Sequence, residues 1–175
     1  GFTIVELEGS TEVDESGTTD TFTVVLDAQP TSDVVISLSS NDGSEISIPS
    51  SLSFTSANWD TAQTVTVTGV DDSIIDGTIT STITVAIDDA NSDDDFDAVA
   101  NQTVSVNTTD DDVAGFTIVE LDGSTEVDES GTTDTFTVVL DAQPASDVVI
   151  SLASDDTGEA TVTSTLSFTA TNWDT

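Results

Sequence analysis

The chain has 175 residues, of which 35 are Asp or Glu and none is Lys, Arg, His or Cys, so its formal net charge is −35. These absences exclude zinc fingers and nucleophiles that depend on Cys or His. A polyanion of this kind is repelled by nucleic acids and by anionic lipid, which excludes both as binding surfaces.

Seven short stretches follow one another in which apolar and polar residues alternate, the pattern of half-buried β-strands. They cover residues 2–7, 20–28, 33–39, 51–55, 64–70, 78–87 and 102–108. Thr and Ser occupy the positions between the apolar residues, and Asp, Gly, Asn and Pro separate the stretches. Seven short strands in about 110 residues predict an all-β, Ig-like, seven-stranded antiparallel β-sandwich.

The apolar residues that share one face of each stretch are the predicted core. They are Phe22, Val24, Leu26, Val34, Ile36, Leu38, Leu52, Phe54, Val65, Val67, Ile79, Ile83, Val85, Ile87, Val104 and Val106. Trp59 follows the fourth stretch, and we interpret it as a cover for the edge of the core rather than as a ligand contact.

The sandwich is repeated in tandem. Residues 115–175 repeat residues 1–61 with 48 identities over 61 positions, at an offset of 114 residues. This period exceeds the roughly 20–50 residues of solenoid repeats and has the size of an independent domain. We therefore predict a complete repeat at 1–114 and the first half of a second, about four strands, at 115–175.

The second repeat ends before the strands that would cover its core. Either the boundary at Thr175 is an arbitrary cut through a longer array, or another chain supplies the missing strands, as in strand-addition complexes. The chain begins at Gly1 without Met, and we interpret it as a piece of a longer protein.

Acidic residues fall into two groups. Single acids on or beside strands are interpreted as solvation; they are Asp20, Asp27, Asp33, Asp134, Asp141 and Asp147. Others cluster in turns: Asp14 with Glu15, Asn41 with Asp42, Asp71 and Asp72 with Asp76, Asp88 with Asp89, Asp93 to Asp95 with Asp97, and Asp110 to Asp112. Adjacent carboxylates repel by on the order of 4 kcal/mol per pair at 4 Å and an effective dielectric of 20. A hard divalent cation would neutralise them, Ca²⁺ before Mg²⁺ because loops tolerate its looser geometry.

The strand order predicts which clusters meet. Alternate connections of antiparallel strands lie at the same end of a sandwich. Glu15, Asp42, the acids at 71–76 and those at 110–112 therefore share one end, the end that meets the next repeat, and residues 88–97 lie at the opposite end. We expect a ring of carboxylates at the junction between repeats.

The motifs that carry these acids resemble the Calx-β family. That family ends its fifth strand with an Asp run, ends the domain with Asp-Asp-Asp and carries a Glu before the second strand; the corresponding stretches here are TVTVTGVDD, VNTTDDD and VDESG, with NDG after the third strand. The resemblance implies Ca²⁺ ligands at Glu15, Asp42, Asp71, Asp72, Asp76, Asp110, Asp111 and Asp112, and at Glu129 and Asp156 in the second repeat. The family's further acids after the fifth strand are replaced here by SIIDGTIT, which favours one or two ions.

These observations predict a non-enzymatic Ca²⁺-binding repeat of a long extracellular surface protein, similar to the spacer arrays of bacterial adhesins or matrix proteins. Near-identical repeats support this prediction, because a spacer needs length and stiffness and not distinct sites. Its expected partners are neighbouring repeats and other copies of itself, with no nucleic acid and no membrane insertion. The alternative is a self-assembling subunit of an extracellular filament or sheath with Ca²⁺ at the contacts. Ca²⁺ sensing, glycan binding and a merely halophilic acidic surface also remain open.

Overall fold

The computed structural model describes residues 1–7 and 9–175, which divide into two compact units. The first unit comprises Gly1–Asp72 and Asp76–Asp111, and the second comprises Ser73–Ile75 and Asp112–Thr175.

The first unit contains nine strands within its described residues. They are β1 (Phe2–Glu6), β2 (Thr11–Asp14), β3 (Thr19–Leu26), β4 (Val34–Ser40), β5 (Ile46–Ser47), β6 (Ser51–Phe54), β7 (Gln63–Gly69), β8 (Ile79–Ile87) and β9 (Gln102–Thr109). Two 3₁₀ turns, Asp89–Asn91 and Asp94–Phe96, lie between β8 and β9.

These strands form two sheets that enclose one apolar core, which confirms the all-β sandwich. One sheet has the order β1-β3-β7-β5 and the other β2-β9-β8-β4-β6. Phe22 from the first sheet and Ile36 and Ile83 from the second are fully buried in the same cluster. Every predicted core residue is buried except Ile79, which is half-buried. Trp59 packs against the edge of the core, and its carbonyl oxygen accepts a hydrogen bond from the Leu26 N–H at 3.2 Å.

Two of the nine strands were not predicted, and one pairing is not antiparallel. β2 runs parallel to β9, with Thr11 opposite Val106 and Asp14 opposite Thr109. β5 has two residues and pairs with the end of β7. Both strands are too short to show an alternating pattern, and each forms because a distant strand offers it an edge.

The second unit repeats the first-half strands in two separate small sheets. Its described residues form β10 (Phe116–Glu120) paired with β11 (Phe136–Leu140), and β12 (Val148–Ser151) paired with β13 (Thr165–Phe168). Val138, Leu140 and Phe168 form its small core, with Trp173 packed against them. Ile74 adds an isolated bridge to Gln143. Among the described residues of both units, no helix has the length and apolar character needed to cross a membrane.

Candidate metal centre

Glu15 lies directly after β2 at one end of the first unit. Its N–H donates to the Thr109 carbonyl oxygen at 3.1 Å, which continues the β2–β9 pairing by one residue. β7 approaches closely at the same point, because a Cβ on Gly69 would lie only 1.9 Å from the Asp14 carbonyl oxygen. The absence of a side chain at Gly69 therefore lets β7 cover Glu15, whose side chain is 1% exposed.

Glu45 reaches the same end from another connection. It immediately precedes β5, and its carbonyl oxygen accepts a hydrogen bond from the Val70 N–H at 2.9 Å. The short β5–β7 pairing thus fixes the backbone of Glu45 beside the end of β7. Its side chain is 4% exposed.

Asp76 and Asp110 belong to the connection after β7 and to the segment after β9. Gly77 adopts a φ of +77°, which Gly reaches without strain, and its N–H donates to Asp110 Oδ2 at 2.8 Å. This hydrogen bond holds the turn that carries Asp76 against the segment that carries Asp110.

The carboxylates of these residues converge. Glu15, Glu45 and Asp76 each place one carboxylate oxygen within 4.8 Å of the other two, and Glu15 and Asp110 have oxygens within the same distance. The Oε2 atoms of Glu15 and Glu45 are buried, and neither has a hydrogen-bond partner among the described residues. Buried carboxylate oxygens without partners are costly, so this cluster has the character of an incomplete cation site.

The electrostatics of the cluster reflect burial and mutual repulsion. Burial, followed by the charges of Asp72, Asp76, Asp110 and Glu45, raises the pKa of Glu15 from 4.5 to about 7. Burial and the charge of Asp76 also raise the pKa of Glu45. The pKa of Asp76 is raised by desolvation and by the charges of Asp72 and Asp110. Because the chain has no basic side chain, only protons or an external cation relieve this repulsion.

The other predicted ligands of the first repeat differ in their burial and in their hydrogen bonds. Asp42 is half-buried and accepts hydrogen bonds from the Ser44 N–H and hydroxyl, which lower its pKa. Asp72 is close enough for its charge to act on Glu15, whereas Asp71 is exposed. Asp111 is exposed, and Asp112 is half-buried and belongs to the second unit.

The two ligands predicted for the second repeat lie at its surface. Glu129 and Asp156 are both exposed, although each has the same residue type as its counterpart, Glu15 or Asp42. Asp156 Oδ1 accepts a hydrogen bond from the Gly158 N–H at 3.0 Å, so the turn around it forms even where no closed site surrounds it.

Sequence reasoning missed Glu45, although a signal for it was available. Between positions 41 and 51, eight of eleven residues differ between the two repeats, and Asp42, Glu45 and Ser50 are the three that do not. An acid retained in the most divergent stretch of otherwise similar repeats marks a position with a specific requirement.

The acidic run at 88–97 serves a different purpose. Asp93 is 4% exposed, and its Oδ2 accepts hydrogen bonds from the N–H and hydroxyl of Thr31 and from the Ser32 N–H, at 2.6–2.8 Å. Its Oδ1 accepts from the Asp95 N–H at 3.1 Å. These bonds, led by the one from Ser32, lower the pKa of Asp93 to about 2. Asp93 thus attaches the β8–β9 connection to the segment before β4 and already has its partners.

No family model matches the chain, and no curated protein matches it. Among solved structures, the calcium binding domain CBD12 of CALX1.1 matches with a TM-score of 0.45 and 15% identity, over 80% of this chain and 70% of that one. PapD-like domain 7 of human CEP192 matches with a TM-score of 0.45 and 14% identity, over 64% and 86%. A Bacteroides ovatus GH5 xyloglucanase matches with a TM-score of 0.42 and 14% identity over 62% of this chain, which spans only 19% of that one. Likenesses at this level carry no argument about function.

Proposed function

We propose that the first unit binds Ca²⁺ between Glu15, Glu45 and Asp76, with Asp110 beside them. One observation carries the proposal: two glutamates that are 1% and 4% exposed each keep a buried carboxylate oxygen without a hydrogen-bond partner among the described residues. Both belong to one group of three converging carboxylates.

The donor set favours Ca²⁺ over other cations. The cluster offers only carboxylate oxygens, which are hard ligands, and the chain has no Cys or His that would favour zinc or another transition metal. The donors come from three connections rather than from one rigid element, which suits the variable geometry that Ca²⁺ accepts better than the octahedron of Mg²⁺.

An ion bound here would act as a structural fastener. Glu15 follows β2 of one sheet, whereas Glu45 precedes β5 and Asp76 follows β7 of the other. An ion held by all three would connect the two sheets at one end of the sandwich and would turn a self-repelling end into a rigid one. Near-identical repeats support a spacer role in a long extracellular, bacterial surface protein, because a spacer needs length and stiffness and not distinct sites.

Thermal unfolding of the 175-residue chain tests Ca²⁺ binding. We expect Ca²⁺ at a hundredfold excess over its dissociation constant to stabilise the first unit by about 2.7 kcal/mol relative to chelator at fixed ionic strength. Trp59 fluorescence in a Trp173→Phe background reports on this unit, because Trp59 is then the one remaining Trp and belongs to the first unit.

Two matched variants give the control. Glu45→Gln removes a buried ligand and should abolish the Ca²⁺ effect, whereas Glu159→Gln changes the exposed counterpart and should leave it intact. Equal stabilisation by NaCl or Mg²⁺, or an unchanged response in Glu45→Gln, would contradict the proposal and leave the acids as a screened surface.

Assembly into an extracellular filament or sheath, with Ca²⁺ between chains, is the second candidate. The composition favours it, because Ca²⁺ shared between exposed carboxylates of two chains would offset the repulsion between copies that have no basic side chain. Sedimentation at high protein and Ca²⁺ concentration tests it: chelator-reversible oligomers are expected, and a single monomeric species would exclude it.

A further inference from the structure

The strands through which the chain enters and leaves the first unit run in the same direction. β2 is parallel to β9, with Thr11 opposite Val106 and Asp14 opposite Thr109. The chain comes into this pairing at the Thr11 end and continues beyond β9 at the Thr109 end. Entry and exit therefore lie at opposite ends of one pair of strands, whereas two antiparallel strands would place them at the same end.

Hydrogen bonds attach β9 to the entering strands at both of its ends. At the first residue of β9, Gln102 Nε2 donates to the Phe2 carbonyl oxygen of β1 at 2.7 Å. Beyond the last register pair, the Glu15 N–H donates to the Thr109 carbonyl oxygen at 3.1 Å. β9 is thus held first by β1 and then by β2.

β2 is also bonded at its other edge. The Glu12 N–H donates to Asp20 Oδ2 at 2.9 Å, and the Asp14 N–H donates to Thr18 Oγ1 at 2.7 Å. A strand of four residues therefore has partners on both sides, although a strand this short has few backbone groups to offer.

Burial opposes any sliding of β2 along β9. Thr11 and Val13 of β2 are 1% and 4% exposed, and Val106 and Thr108 opposite them are 3% exposed or less. A slip by one residue would turn the inner side chains of β2 to the outer face. The pairing therefore has no neighbouring register of similar stability.

This geometry determines how tension acts on the unit. Strands that are pulled lengthwise from opposite ends must slide past one another, so the hydrogen bonds between them break together. Antiparallel strands that are pulled apart from one end lose their bonds one pair at a time. β4 and β8 allow this second geometry, because Asp33 precedes β4 and Asp89 follows β8 at the same end of their pairing.

We propose that the first unit resists tension along the chain and that the parallel β2–β9 pairing is the element that carries the force. This function goes beyond the proposed spacer role, which requires length and stiffness but no resistance to extension. Glu15 and Asp110 directly follow β2 and β9, and their carboxylates approach each other. An ion held there would reinforce the pairing, and this reinforcement alone rests on the proposed metal centre.

Single-molecule force measurements on the 175-residue chain in chelator test the proposal. The chain contains no Cys, so introduced thiols at exposed positions define where the handles attach. Ser10→Cys with Thr175→Cys loads β2 and β9 lengthwise, and Asp33→Cys with Asp89→Cys pulls β4 and β8 apart. We expect the first unit to open at about twice the force or more in the lengthwise geometry, because its bonds must break together. Extension by about 3.6 Å per released residue identifies which unit has opened.

Two Val→Ala variants provide a matched comparison. Val13 of β2 and Val34 of β4 are 4% and 0% exposed and belong to the same core. With handles at residues 10 and 175, Val13→Ala should speed opening under force by about tenfold, and Val34→Ala by less than about twofold, because the contacts of Val34 remain in place when β2 separates from β9. Urea unfolding should show that both variants are destabilised in the absence of force.

Two results would overturn the proposal: equal opening forces in the two pulling geometries, or equal effects of the two variants on opening under lengthwise force. Ca²⁺ tests the metal centre separately. A higher lengthwise force in Ca²⁺ than in chelator, abolished by Glu45→Gln, would support reinforcement by the ion. A force that does not respond to Ca²⁺ would contradict the metal centre, whereas the difference between the two geometries would still support the role of β2–β9.

Discussion

The two units present nearly the same 61-residue sequence in two environments. TEVD forms strand β2 at residues 11–14 of the first unit, but the same four residues at 125–128 form no strand. The difference is that β2 pairs with β9, and the second unit has no corresponding strand among its described residues. Secondary structure at these positions is therefore decided by a partner distant in sequence and not by local preference.

Burial of the candidate ligands follows the same rule. Glu15 and Glu129 both occur in the sequence VDESG, yet the first is 1% exposed and the second is exposed. Glu15 is covered because β9 holds its backbone and β7 approaches at Gly69. The candidate metal centre is thus a property of the closed sandwich and not of the motif.

The largest expected difference between the units is in the stability that each loses when a core Phe is truncated to Ala. Phe22 is fully buried, and Phe22→Ala should destabilise the first unit by about 3–5 kcal/mol through lost burial and a cavity. Phe136 is its half-buried counterpart, and Phe136→Ala should cost less than about 1 kcal/mol. Urea unfolding followed separately through Trp59 and Trp173 measures both. Equal costs would mean that the second unit is closed in solution.

The second-largest expected difference is in how the stability of the metal-free chain depends on pH, to which Glu15 should contribute and Glu129 should not. Because the pKa of Glu15 is raised to about 7, the folded first unit holds this proton more tightly than the unfolded chain does. Its stability in chelator should therefore fall as pH rises from about 4.5 to about 7. Glu15→Gln should flatten this fall, and Glu129→Gln should preserve it. If the stability of Glu15→Gln still fell over this pH range, groups other than Glu15 would be the cause.

Loss of the Asp93 attachment should have the smallest effect. The pKa of Asp93 is lowered to about 2, so its stabilising contribution is present above its usual value of 3.8 and is lost as pH falls through about 2. Asp93→Asn should lower the melting temperature of the first unit at neutral pH, and the difference from wild type should shrink in acid. Asp94→Asn, at an exposed neighbouring position, is the control. An equal decrease in melting temperature in this variant would indicate a general effect of charge and not the loss of the Asp93 hydrogen bonds.

Strands long enough to show alternating apolar and polar residues could be predicted from the sequence, and so could the face of each strand that is buried. β3 and β8 were placed to within one residue or two at either end, and Phe22 and Ile83 are fully buried as expected. β2 and β5 could not be predicted, because four and two residues carry no period and both depend on distant edges.

The sequence could predict the end of the sandwich where the candidate site lies, but not which acidic residues form it. Strand order predicts that Glu15, Asp76 and Asp110 approach one another, and their carboxylates do. Which acids are buried depends on details such as Gly69 and the β5–β7 pairing, and these placed Glu45 at the centre and left Asp71 at the surface. Whether the acids bind Ca²⁺ stays a prediction.

The parallel pairing of β2 with β9 has a consequence for how the protein is made. Thr11 must wait for Val106, which leaves the ribosome 95 residues later, so each repeat spends most of its synthesis as an open half. Near-identical halves on one chain could then capture each other's closing strands. Repulsion between halves of such high negative charge would oppose this exchange, independently of any ion that the acids bind.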